Sequence, residues 1–301
     1  MNLYAKIDKL FLSQRDPFTG NKEKKLKKEI FNSLTRFHNK NCQLYKNILK
    51  HMKYRKNKNY DVSNLPFLPT NIFKSFDFLS VKKKDIIKVI KSSGTTSKKF
   101  SKIFLDKRNS QDQIKVLSIL YSNAINTKRR LPMLIIDTER TIKDRNSFSA
   151  RTAAINGFSI FCNEICFALN DDMSINYERV QNFLNKYQKE KKIIFGFTGI
   201  IWKYFCNNSN LQKKKYNFSD AIILHGGGWK KLINQGITNE IFKIKLKKNF
   251  KISKVINYYG MVEQTGSIFF ECPHCHNFVS SIFSDIIIRD KNLKDLGSNK
   301  V

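Results

Sequence analysis

The chain has 301 residues, with 56 Lys+Arg against 24 Asp+Glu for a net charge of +32; 41% of its residues are hydrophobic and 13% aromatic. That apolar content excludes a disordered chain, and 12 Gly with 5 Pro exclude a collagen-like or linker protein. No stretch reaches the ~18 apolar residues that a membrane-spanning helix needs, and charges interrupt the apolar start MNLYAKIDKLFLSQRD, so a soluble, cytoplasmic globular protein is expected.

Taken in chain order, residues 4–13 and 23–52 read as helices, the second with Ile30, Leu34, Phe37, Cys42, Tyr45 and Leu49 along one face. They predict an N-terminal helical arm over 1–60, followed by a core domain over 61–301. A polar break, KYRKNKNYDVSN, precedes LPFLPTNIFKSFDFLSV, where Pro66 and Pro69 forbid a continuous helix. Beyond residue 86, short apolar runs predict strands at 86–92, 102–106, 131–138, 192–198, 220–226, 254–260, 267–272 and 281–290. Helical spacing predicts helices at 109–126, 176–190, 200–208 and 238–248. Strands alternating with helices of this length argue for α/β layering around a largely parallel sheet.

The stretch VIKSSGTTSKKFSKIFLD holds six consecutive small or hydroxylated residues, Ser92 to Ser97, between two strands and followed by Lys98 and Lys99. A turn so dense in N–H and hydroxyl donors, with Gly94 for close backbone approach, suits a polyphosphate. It is not the Walker loop: it lacks the second Gly before Lys, and no helix follows directly. A Ser/Thr-rich hairpin turn is the competing reading of these residues alone. LHGGGWK, residues 224–230, places Gly226, Gly227 and Gly228 after an apolar strand, where a ligand can approach the backbone. YYGMVEQT, residues 258–265, ends a strand in aromatics, turns at Gly260 and presents Glu263, a carboxylate for Mg2+.

SSGTTSKK resembles the phosphate loop of the adenylate-forming superfamily, and YYGMVE its nucleotide motif. With LPFLPTNIFKSFDFLSV, SFSARTAAINGF and LHGGGWKKL in the same order, the chain resembles the LuxE-type acyl-protein synthetases, relatives of the phenylacetate–CoA ligases. The resemblance implies the large domain of an adenylate-forming enzyme, with mixed sheets sandwiched by helices. It implies ATP and Mg2+, a fatty or other carboxylic acid as substrate, and an acyl-acceptor protein such as a reductase. Carried over by position, Ser92, Ser93, Gly94, Thr95, Thr96 and Ser97 hold the phosphates, Tyr259 packs on adenine beside Gly260, and Gly227 and Gly228 line the adenine and acyl pocket. Glu263 binds the metal, and Arg151 and His225 are further catalytic candidates. Ser97 stands where the superfamily often has a second Gly. The sequence stops at DKNLKDLGSNKV, where the family continues into a T-x-D-type motif, a small domain and an acyl-accepting cysteine, so a catalytically incomplete fragment or nucleotide-binding subunit is the alternative reading.

The six cysteines have no repeating spacing and are expected to be free, mostly buried thiols. ECPHCH, residues 271–276, offers two zinc ligands in Cys272 and Cys275, but no second C-x-x-C or H-x-x-x-H follows to complete a closed site, and a turn between strands is the reading adopted. The charge invites a nucleic-acid partner. Of the 56 basic residues, however, 45 are Lys and 11 Arg, and base readout favours the forked guanidinium, so the lysines are read as solvated faces.

Overall fold

Continuous apolar runs dominate the middle of the chain, and they form the strands of a sheet buried on both faces. A computed structural model describes residues 2–12, 16–18, 23–92, 100–143, 149–214 and 216–297. The chain folds as two units, one of residues 1–123, 260–269 and 279–301, the other of residues 124–259 and 270–278.

The first unit begins with α1 (Leu3–Leu12), α2 (Lys24–Asn41) and α3 (Gln43–His51). The single helix expected over 23–52 breaks at Cys42, whose φ of −120° and ψ of 107° are extended. Asn41, a poor helix former, turns its side chain back onto the Phe37 carbonyl at 2.8 Å just before that break. β1 (Ile86–Lys91) and β2 (Lys102–Asp106) pair antiparallel, and α4 (Lys107–Ile125) follows directly. Residues 281–290, expected as a strand, form none beyond a single bridge at Arg289. Ser281 and Ser284 close a local turn instead: the Ser284 N–H donates to the Ser281 carbonyl at 3.1 Å and the Ser281 N–H to the Ser284 hydroxyl at 3.2 Å. Ile282 is buried with Leu10 and Ile30 and Phe283 packs against them, so the start of this segment seals the N-terminal helices, whereas Ile286 and Ile288 are exposed.

The second unit carries β3 (Leu131–Thr138), α5 (Arg140–Lys143), α6 (Ala150–Ser159), β4 (Cys162–Leu169), α7 (Tyr177–Lys186) and β5 (Lys192–Phe197). The short α8 (Thr198–Ile200) runs into a π-helical turn at Ile201–Cys206, and α9 (Ser209–Lys213), β6 (Ala221–Gly226), α10 (Trp229–Ile233), α11 (Asn239–Phe250) and β7 (Lys254–Gly260) complete it. β8 (Ile268–Glu271) and β9 (Phe278–Val279) extend the sheet, whose order is β4-β3-β5-β6-β7-β8-β9. β4, β3, β5, β6 and β7 run parallel, as the alternation of strands and helices implied. Every residue of β3 and β6 is buried. On one face Leu134, Ile194 and Ile223 pack with Val180 of α7, Phe205 of the π-turn and Phe242 of α11; on the other, Phe195 meets Phe158 of α6 at 5.3 Å between ring centroids.

α6 and β4 are additions to the expected elements. Ser149 caps α6, its hydroxyl accepting the Thr152 N–H at 3.1 Å. β4 is an edge strand whose apolar run is interrupted by the consecutive polar residues Asn163 and Glu164. All six cysteines are free: Cys42, Cys162 and Cys206 are buried, Cys166 and Cys272 half-buried, and Cys275 exposed. No helix among the described residues is long and apolar enough to cross a membrane.

The core of the second unit gives a direct test. Phe195 has no exposure and forms a three-ring cluster with Phe158 and Tyr258. Phe195→Ala is expected to cost about 3–5 kcal/mol, read as a lower urea midpoint by tryptophan fluorescence; an unchanged midpoint contradicts this packing.

Candidate functional site

Parallel strands end on a common edge, and in the second unit that edge carries Arg151, His225, Gly227, Gly228 and Tyr259 of the residues singled out from the sequence. In the ladder, Phe197 pairs with Gly226 and Gly226 with Tyr258, in the last row of β5 and β6. A Cβ on Gly226 would stand 2.7 Å from both the Tyr258 carbonyl oxygen and its ring. Gly227 and Gly228 follow with φ of 64° and 78°, in the left-handed region that favours glycine. Side chains there would meet the Phe197 ring at 3.1 Å and the Gly199 amide nitrogen at 3.2 Å. The glycine turn is thus folded down onto the end of β5, and its own backbone is exposed. Gly228 also lines a cleft of about 400 Å³ with Phe197, Gly199, Trp202, Lys203 and Tyr204, against the π-helical turn.

One row further in, Gly196, His225 and Asn257 are neighbours across β5, β6 and β7. His225 has no exposure; its Nδ1 is 2.8 Å from the Thr198 hydroxyl, and its ring packs against Phe242 at 4.7 Å and Trp229 at 5.9 Å. Burial, with the positive charge of Lys243 nearby, pushes its pKa from 6.5 down to about 3. It is therefore a neutral ring that pins Thr198 and so the turn after β5. Asn257 is held through its N–H, which donates to Glu271 Oε2 at 3.2 Å. Glu271, nearly fully buried, also accepts from Asn239 at 2.8 Å and pairs with Lys243.

Arg151, in the first turn of α6, places Nη1 3.2 Å from both carboxylate oxygens of Asp137 at the end of β3. Asp137 is buried and also accepts the Thr138 N–H at 2.8 Å and the Thr141 hydroxyl at 2.7 Å. Arg151 is thereby fixed at the same edge of the sheet while its side chain stays 37% exposed. Tyr259 is 48% exposed and rests against Phe278 at 6.1 Å.

The remaining expected residues belong to the first unit. Ser92 clamps the base of the hydroxyl-rich loop: its hydroxyl accepts the Ser101 N–H at 2.9 Å, and its own N–H donates to the Ser101 carbonyl at 3.1 Å. Ser93, Gly94, Thr95, Thr96 and Ser97 lie outside the described residues. Gly260 is exposed, with Ile268 closest to where its side chain would be. Glu263 is half-buried and, among the described residues, has no hydrogen-bond or ion-pair partner. With Gln264, Thr265 and Gly266 it lines a cavity of about 700 Å³ whose other walls include Ile30, Leu34, Phe37, Phe73, Phe104 and Val116. No group of three or more His, Cys, Asp or Glu side chains among the described residues is arranged to hold a metal. A lone, unpaired carboxylate does fit Mg2+, which keeps its waters and takes most of its other ligands from substrate phosphates.

Asp137, Thr198 and Asn257 were not singled out in the sequence. Asp137 carried a signal, a single acid at the end of an apolar run; Thr198 and Asn257 carried none.

A family model described as acyl-protein synthetase, LuxE, matches residues 1–301. Among solved structures, 2-hydroxyisobutyryl-CoA ligase is similar in three states. In complex with 2-HIB-AMP and CoA in the thioesterification state it gives a TM-score of 0.58 at 10% identity over 88% of this chain and 55% of that one. In the postadenylation state with 2-HIB-AMP the values are 0.57, 10%, 84% and 51%. The open conformation with 2-HIB-AMP and CoA gives 0.55, 10%, 84% and 57%. The chain spans a little over half the length of these structures, and the likeness extends to the fold. Among curated proteins none matches.

The burial of His225 has a measurable consequence. Above pH 6.5 the ring is neutral in both folded and unfolded chains; below it, only the unfolded chain takes up the proton. Stability is therefore lost as pH falls from 6.5 toward 3, by up to about 1.4 kcal/mol per pH unit from this residue. Urea unfolding across that range should show a shallower pH slope for His225→Gln than for the unaltered chain. Equal slopes contradict a buried neutral ring.

Proposed function

Because the chain belongs to the acyl-protein synthetase (LuxE) family, we propose that it activates a carboxylic acid with ATP and passes the acyl group to a thiol of an acceptor protein such as a reductase. An acid carboxylate oxygen attacks the α-phosphorus of ATP, the bond to the β-phosphate breaks, and acyl-adenylate and pyrophosphate result. The observation that carries this reading is the meeting of β5, β6 and β7 at the glycine turn. There the backbone of Gly227 and Gly228 is exposed, and Tyr259 offers a ring on which a base can stack.

In this reading Tyr259 and Gly260 hold the adenine side of the nucleotide and the loop from Ser92 to Ser97 holds its phosphates through N–H groups and hydroxyls. Glu263 would hold Mg2+, which would supply positive charge against the phosphates. Arg151 presents a guanidinium at the strand edge, paired on one side with Asp137. His225 acts through Thr198 as a positioning residue. The apolar walls of the 700 Å³ cavity, within the range of ordinary ligand sites, support an acid with a long aliphatic chain.

ATP–pyrophosphate exchange tests this directly, with Mg2+ and acids from acetate to tetradecanoate. Exchange that rises with chain length and falls about a hundredfold or more in Glu263→Gln is expected. Exchange absent with every acid, while ATP still binds, would contradict acid activation by this chain and leave a nucleotide-binding subunit.

A further inference from the structure

Four of the six cysteines are shielded or chemically quiet. Cys42 and Cys162 are buried, and burial raises the Cys166 thiol to about 11 and the Cys206 thiol to about 12. The hairpin loop between β8 and β9 is different. There the Cys272 N–H donates to the Asn277 carbonyl at 2.8 Å and the His276 N–H to the Cys272 carbonyl at 3.0 Å, with His276 in the left-handed region at φ 58°. This folding brings a backbone donor to the sulfur: Cys272 Sγ accepts from the His274 N–H at 3.4 Å, and Cys275 follows in the same turn. Donors of Cys275 and the His274 N–H hold the Cys272 thiol below its usual pKa, against desolvation and the opposing charge of Glu271, which Lys243 and Asn239 already engage. Cys272 is half-buried and Cys275 exposed, so solvent reaches the pair.

An accessible sulfur that accepts a backbone N–H, with a second, exposed thiol three residues on in the same closed turn, is the arrangement of a reversible redox pair. A metal site has less support: the described residues bring no third ligand to these two sulfurs. We propose that Cys272 and Cys275 form a dithiol that closes to a disulfide by exchange with a low-molecular-weight disulfide, Cys272 attacking and Cys275 resolving. In the first step the Cys272 thiolate bonds to one sulfur of R–S–S–R, whose S–S bond breaks and releases R–S⁻. In the second, the Cys275 thiolate bonds to Cys272 Sγ and displaces the other R–S⁻. Two protein thiols are oxidised, and one external disulfide is reduced to two thiols, which take up the protons the protein releases. The reaction is independent of the proposed acyl chemistry.

The test uses the full chain, equilibrated with glutathione and glutathione disulfide, quenched with acid, alkylated and mapped by peptide mass. In excess glutathione disulfide the unaltered chain should lose two alkylatable thiols, both within residues 272–275, and recover them in excess glutathione. Cys275→Ser should stop at a glutathione adduct on Cys272, formed severalfold faster than any adduct on Cys275 in Cys272→Ser. Both thiols staying alkylatable in excess glutathione disulfide would overturn the proposal. So would faster adduct formation at Cys275, or protection of both thiols by Zn(II) with no disulfide formed in its absence.

Discussion

Gly226 carries no side chain because Tyr258 occupies the space, and much of the second unit depends on that close approach. Its position in the ladder, between Phe197 on one side and Tyr258 on the other, lets β5, β6 and β7 stay in register to their ends. Only then can Gly227 and Gly228 turn in the left-handed region and rest on Phe197 and Gly199. The buried strands provide the apolar free energy, about 25 cal/mol for each Å² removed from water, and the glycines decide where those strands stop. The proposed ligand site at this edge suits the topology, since parallel strands with helices on both faces leave their C-terminal ends open.

Behind that edge lies a row of buried polar residues linked to one another, with His225 Nε2, Asn239 Oδ1 and Asn257 Oδ1 lacking a hydrogen-bond partner among the described residues. Thr198 meets His225, Asn257 meets Glu271, and Glu271 in turn meets Asn239 and Lys243. Asp137 does the same for Arg151 one strand further along. Buried polar groups are costly unless paired, and paired ones hold a single geometry. The exposed residues of the proposed site, Tyr259 and the backbone of Gly227 and Gly228, therefore stand on a rigid base. This division explains why His225, prominent in the sequence, is a buried neutral ring, whereas Tyr259, beside an equally aromatic Tyr258, is the one that faces outward.

Much of this was legible in the sequence because parallel strands buried on both faces leave uninterrupted apolar runs, as in LPMLIIDT and DAIILHG. The glycine turn and YYGMVE were legible for a related reason, since their residue types are dictated by backbone crowding and by the end of a strand. What escaped was structure decided by partners far along the chain. β4 sits at the sheet edge, where Asn163 and Glu164 break the apolar run, and α6 includes Gly157. SIFSDIIIRD has the alternation of a strand, yet Ile282 is taken up by Leu10 and Ile30 from the N-terminal helices. The polar network was least visible of all: nothing near Thr198 in sequence announces His225, 27 residues away.

The central claim is that nucleotide binds where β6 and β7 end, on the Gly227–Gly228 backbone and Tyr259. Photolabelling with an azido-adenine analogue of ATP, followed by peptide mapping, tests it most directly. The account predicts labelling within residues 225–229 and 258–260 that excess ATP suppresses and that Tyr259→Ala reduces. Labelling confined to other segments, or labelling at these residues that ATP leaves unchanged, would contradict it.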